Sequence, residues 1–176
     1  LTLTSPYFPL LPLTSPLHEA LMHIRLYRPE DREVLKDITA RTFAEVSIDR
    51  NIEQQFGLIN GTDWAWRKRR HIDWDCDAQP DGVLVAEEDG RVIGYITMRF
   101  DEATKVAWIP NLAVEPAYQG RGIGRQLILA ALDWARQKGM KYAKIETLSQ
   151  NPVGQHLYPS CGFKEVARQV HYFMEL

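Results

Sequence analysis

The sequence predicts an α/β domain whose mixed, mostly antiparallel sheet is flanked by helices. Extended stretches at residues 83–86, 92–100 and 106–114 follow one another, and Asp89-Gly90 supplies a two-residue hairpin turn between the first two. Apolar residues at helical spacing bracket them, ahead of Pro80 and again over residues 122–138. A strand, a short helix and a last strand then run from Tyr142 to Met174, an order that describes a mixed sheet.

Taken in order, residues 1–21 carry Pro6, Pro9, Pro12 and Pro16, which prevent a helix and weaken strand pairing. No Lys or Arg precedes Arg25, so the segment lacks the basic start of a secretory signal. It is expected to be a disordered lead upstream of the functional start, with residues 22–176 forming one domain. Met22 to Leu26 reads as a first strand, and Pro29 opens a helix whose buried side holds Leu35, Ile38 and Phe43. A second helix spans Ile48 to Phe56 and stops at Gly57; Asn60-Gly61 marks a turn before a third. After the strand over residues 106–114, Pro116 closes the ladder. The helix at 122–138 repeats Ile123, Leu127, Ala130, Ala131 and Trp134 on one side and ends at Gly139. Tyr142 to Leu148 is predicted as a strand, Pro152 to about Tyr158 as a helix, and Phe163 to Met174 as a strand able to pair across a homodimer.

Bulk properties narrow the function. With 21 basic and 23 acidic residues the net charge is −2, which gives no general attraction for nucleic acid or an anionic membrane. Cys76 and Cys161 make neither a disulfide framework nor a close-spaced zinc set, and the five histidines form no metal pair. No apolar run reaches the roughly 18 to 20 residues that cross a bilayer. A cytoplasmic protein is expected. Arg67-Lys68-Arg69-Arg70, interleaved with Trp64, Trp66 and Trp74, is balanced by Asp63, Asp73, Asp75 and Asp77 and reads as a solvated helix face, with the tryptophans as core.

The chemistry concentrates at Gln119-Gly120-Arg121-Gly122-Ile123-Gly124, between a strand and the start of a helix, where backbone N–H groups lack intrahelical partners. Alternate glycines let the main chain approach a phosphate, and the helix dipole adds roughly 0.3 to 1 kcal/mol per favourable charge. A Walker loop would need Lys and then Ser or Thr after the last glycine, but Arg125 and Gln126 follow. A dinucleotide fingerprint would need glycine where Arg125 stands.

Together with the preceding Leu112-Ala113-Val114 and Pro116, this loop resembles the acetyl-CoA signature of the GNAT family of N-acetyltransferases. A second stretch, Asn151-Pro152-Val153-Gly154-Gln155-His156-Leu157-Tyr158 followed by Gly162-Phe163, is similar to that family's downstream motif at the same spacing. It departs from the motif in Gly154, where Ala is usual, and in Pro159 after the tyrosine. The resemblance implies the GNAT acyl-CoA N-acyltransferase fold and acetyl-CoA as cosubstrate. It places the pyrophosphate on Gln119, Gly120, Arg121, Gly122, Ile123 and Gly124, and the pantetheine arm on Leu112, Ala113 and Val114. Further cofactor contacts fall on Asn151 and Tyr158.

Acetyl transfer from a thioester needs an unprotonated amine, a stabilised oxyanion and a proton for the leaving thiolate. Tyr158, protonated at neutral pH, is assigned the last role by the resemblance. Glu146, five residues before Asn151, is the first choice of base, because ribosomal-protein alanine acetyltransferases look alike there. Some family members carry Glu where Trp108 stands; Glu115 and a water near Asn111 are the fallbacks. The amine is expected to attack directly in a ternary complex, since nothing in the sequence activates Cys161. The acceptor is an amine, either a small molecule or a protein N-terminus or lysine. A non-catalytic acyl-CoA-binding regulatory module is the alternative.

Overall fold

The computed structural model describes residues 22–176; the lead proposed for residues 1–21 lies outside the described residues. The sheet runs β1 (His23–Leu26), β2 (Val83–Glu88), β3 (Arg91–Asp101), β4 (Val106–Val114) and β5 (Tyr142–Ile145), adjacent in that order. The first four strands are antiparallel and β5 joins β4 in parallel. The β2–β3 hairpin turns on Asp89 and Gly90, both with positive φ (50° and 73°), as a two-residue connection requires.

Helices α1 (Arg32–Thr42), α2 (Ile48–Phe56) and α3 (Trp64–Ala78) precede the hairpin, and α4 (Ile123–Gln137) and α5 (Pro152–Ser160) follow it. Their starts are capped as their sequences dictate. Ser47 Oγ accepts from the Arg50 amide, Asp63 from Trp66, and Asn151 from Gly154. One face of the sheet buries Leu35, Ile38, Ile72 and Cys76 of α1 and α3 against Val83, Val85, Tyr95 and Ala113. The other buries Ile123, Leu127, Ile128 and Ala131 of α4 against Ile93, Ile96, Met98 and Ile109.

A break in register at the centre of the sheet positions the site. Thr97 pairs with Asn111 but Arg99 pairs with Trp108, so Met98 alone faces both Ile109 and Pro110. This is a β-bulge, and Pro110, with no N–H for the ladder, occupies it in the one way a central strand tolerates. The extra residue restores side-chain parity: Trp108 and Asn111 share the α3 face, and Ile109 and Leu112 pack toward α4.

Three boundaries differ from the sequence prediction. β5 stops at Ile145 rather than Leu148, opposite Ile109, where the bulge ends the partnership. α5 continues through Pro159 to Ser160, because the missing proline N–H costs a single bond near the end of the helix. Residues 163–174 form no strand. Val166 and Tyr172 are 95% and 92% exposed, and Arg168 bonds back to Glu165. A strand needs a ladder partner, and among the described residues four-residue β5 gives this segment none. Phe173 instead meets Phe56 edge-on, with ring centroids 5.0 Å apart. Among the described residues no helix is long and apolar enough to cross a membrane.

Candidate active site

The glycine loop forms as its composition demands. Gly120 and Gly122 both adopt φ of 77°, Gly122 serving as the left-handed N-cap of α4, and neither would meet another atom with a Cβ. Their requirement is conformational. Gly124 is different: a Cβ there would sit 3.4 Å from Leu157 Cδ2, so it sets how closely α5 approaches α4. Gln126 is the first amide bonded back, to the Gly122 carbonyl; the amides of residues 120–125 have no such partner among the described residues. They form a run of donors at a positive helix end, suited to a diphosphate. The Arg121 guanidinium is committed to nearly buried Glu88, which ties the loop to the end of β2, so this residue can offer a ligand its amide but not a free side chain.

The strand entering the loop has an open edge. β5 pairs with residues 106–109 only, leaving residues 111–114 unpartnered on that side. The Glu115 amide donates to the Ile93 carbonyl (2.8 Å), which fixes the phase of the antiparallel ladder. Two-residue alternation then turns the peptide groups of Asn111 and Ala113 toward β3 and those of Leu112 and Val114 into the gap. The Val114 carbonyl accordingly accepts from Gln119 Nε2 at 3.0 Å, while Leu112 faces the cleft between β4 and β5. An extended amide-bearing chain could hydrogen-bond there as a strand would.

α5 packs beside the start of α4, with Leu157 against Gly124. Arg125 holds its end through the Ser160 carbonyl (2.8 Å) and hydroxyl. Asn151 spends both ends of its side chain on architecture: Oδ1 accepts from the Gly154 amide and Nδ2 donates to Thr147 Oγ1. Gly154 is required by that same contact, since a Cβ would fall 2.5 Å from Thr147 Oγ1. Tyr158 packs against the α4 core and edge-on to Phe163 at 6.4 Å. Burial pushes its phenol up to about 12, so it remains a proton donor throughout the physiological range.

The candidate bases separate. Glu146 lies one residue beyond β5 with its side chain 62% exposed and Lys144 at 3.9 Å. Glu115 is held by Arg41 through three contacts of 2.8 to 3.2 Å and bridges to α1. Trp108 is held between Arg99 and Lys144 of the neighbouring strands, 5.5 and 5.0 Å from its ring, with its indole N–H buried and without a partner among the described residues. Burial pushes the Cys76 thiol up to about 11, making it a packed residue.

The basic run on α3 is not a uniformly solvated face. Arg67 bonds the Thr62 and Asp49 carbonyls, Arg69 bonds Asp37, and Arg70 lies over Trp66 and Trp74, which are half-exposed rather than core. Lys68 is buried. It donates to Asn111 Oδ1 at 2.8 Å, and Asn111 Nδ2 donates to buried Asp75 at 2.7 Å. Sequence reasoning missed this cluster because it balanced charges without tracking phase: Lys68, Ile72, Asp75 and Cys76 fall on one side of α3.

Comparison with known proteins identifies the family and the fold. The acetyltransferase (GNAT) family model matches residues 47–163. An uncharacterized N-acetyltransferase of Methanocaldococcus jannaschii is 26% identical over 142 residues, which span 75% of this chain and 63% of that protein. The PaiA N-acetyltransferase of Thermoplasma acidophilum, solved with coenzyme A, superposes with a TM-score of 0.65 at 24% identity, covering 82% of this chain and 90% of its own. A GNAT family acetyltransferase of Brucella melitensis, solved with acetyl-CoA, gives 0.60 at 27% identity, covering 83% and 84%.

Proposed function

This chain belongs to the GNAT family of acetyltransferases, and from that premise we propose that residues 22–176 move an acetyl group from acetyl-CoA to a primary amine by direct attack in a ternary complex. One juxtaposition carries the reading: amides at residues 120–125 without partners among the described residues lie a short turn beyond the strand whose Leu112 peptide opens into the β4–β5 cleft. Diphosphate at the first and pantetheine along the second would deliver the thioester beside the bulge. The acetyl-CoA bound by the Brucella melitensis relative supports the choice of cosubstrate.

The amine lone pair attacks the thioester carbonyl carbon, and the tetrahedral oxyanion is stabilised by hydrogen-bond donors at the open β4 edge. The C–S bond then breaks, Tyr158 gives its proton to the departing sulfur, and the ammonium proton passes to Glu146 directly or through water. Products are the acetamide and free CoA. Asn151 and Arg125 act by holding α5. The free thiols of Cys76 and Cys161 support a reducing, cytoplasmic setting.

The test is release of free CoA from acetyl-CoA in the presence of a panel of primary amines, beside calorimetric binding of acetyl-CoA. Turnover with any amine above the no-amine background supports the transferase. Tight binding with no turnover on any amine favours a regulatory acyl-CoA sensor.

A further inference from the structure

Lys68 is the one element of the α3 basic run that is buried, and its surroundings are built for it. Its ammonium lies 2.8 Å from Asn111 Oδ1, 3.5 Å from His71 Nδ1 and 4.3 Å above the Phe43 ring. Asp75 takes the opposite end of the Asn111 amide and also accepts from Thr97 Oγ1 and the Arg99 guanidinium at 2.7 Å. The amide is therefore held at both ends and cannot flip. Asn111 is the first residue after the β4 bulge, and its neighbour Leu112 presents its peptide to the cleft.

We propose that Lys68 is a positioning residue: with Asp75 it clamps the Asn111 amide, fixes the β4 bulge, and so sets the Leu112 peptide that receives the pantetheine arm. This rests on the acetyl-CoA reading above and adds to it a residue outside the motifs. Arg99 already pairs with the Asp75 carboxylate, so the part left to Lys68 is the buried Asn111 amide oxygen, whose donor among the described residues is this ammonium and which would be costly to leave unsatisfied. The other charged or titratable groups around Lys68 are Asp49 from α2, whose carboxylate lies 3.6 Å from His71 Nε2, His71 itself, and Arg99 from β3. Burial lowers the Lys68 ammonium to about 8. Burial and the neighbouring Lys68 charge also lower the His71 imidazolium. Loss of the Lys68 proton then weakens the clamp across a range where the phosphate of acetyl-CoA has finished titrating.

The experiment is calorimetric titration of acetyl-CoA into the full chain between pH 7 and 9.5, for the wild type, Lys68→Met, and Arg70→Gln as an exposed control on the same helix. Expected are a fall in wild-type affinity of about ten-fold across that range, and about ten-fold weaker binding by Lys68→Met at pH 7 with no further response to pH. Arg70→Gln should follow the wild type. Lys68→Met binding within two-fold of wild type at pH 7 overturns the proposal, whatever its melting temperature. If that variant does not fold, a wild-type affinity that stays flat from pH 7 to 9.5 overturns it. Wild-type protein that binds no acetyl-CoA at pH 7 sinks the cosubstrate reading, and the positioning role with it.

Discussion

Gly154 lies against Thr147 so closely that a Cβ on the glycine would fall 2.5 Å from the threonine hydroxyl, which itself accepts from Asn151 Nδ2. Adding that carbon improves helix propensity by about 1 kcal/mol but overpacks the N-terminus of α5 by about 1 to 3 kcal/mol. Gly154→Ala should therefore lower the melting temperature by a few degrees despite the better helix former. Thr147→Ala in the same chain should recover part of the loss, and a thermal-melt double-mutant cycle reads the coupling. Additive effects would mean that the two residues do not press on one another.

Tyr158→Phe keeps the ring that packs on the α4 core and removes only the proton. Turnover should fall about 100-fold or more, with acetyl-CoA affinity within two-fold of wild type. Since the phenol sits near 12, it should contribute no alkaline limb to the rate profile below pH 11. Equal turnover by the phenylalanine variant removes Tyr158 from the mechanism.

Much of this arrangement was legible in the sequence, and the failures have particular causes. Local chemistry placed α2 between Ile48 and Gly57, the Asp89-Gly90 turn, and the left-handed glycines ahead of α4, because each depends on the residues themselves. Residues 163–174 have the apolar content of a strand, but a strand depends on a neighbour, and the pattern of one segment does not report where its partner ends. Lys68 was hidden by its company in a run of four basic residues; counting from Ile72 and Cys76 back by fours would have placed it inside. The β4 bulge was missed, because residues 106–114 were read as one uninterrupted strand; Pro110, which has no N–H for a central ladder, was the signal that could have found it.

Acid stability should trace to Asp31. Burial raises its carboxyl, but hydrogen bonds from the Arg25 guanidinium and the Arg28 amide outweigh that and hold it below the usual 3.8. The folded group binds its proton less tightly than the unfolded one, so its contribution is complete above about pH 4 and is lost as pH falls through the lower folded value. Asp31→Asn should cost about 2 to 3 kcal/mol at pH 7 and flatten the dependence of stability on pH below about 4. Urea titrations across that range measure both. A variant with the wild-type acid slope assigns the effect elsewhere.

The exposure of Glu146 bears on which amine is acetylated. Deprotonating a lysine side chain at pH 7 costs about 4.6 kcal/mol, whereas an α-amine costs only about 1. Glu146 lies open to water with Lys144 at 3.9 Å, so solvent competes with it for the ammonium proton and its help should count far more for the second amine than for the first. Acceptors bearing an α-amine should therefore turn over faster than matched acceptors bearing only a lysine side chain at pH 7, and the gap should narrow as the pH rises to 9 and the medium does the deprotonation. Glu146→Gln should lower kcat/KM for the amine by about ten-fold or less at pH 7, with the deficit shrinking over the same range. Steady-state rates on paired α-acetylated and free peptides, at three pH values, measure both effects together. A lysine preference at pH 7 that persists in Glu146→Gln would place the base on another residue.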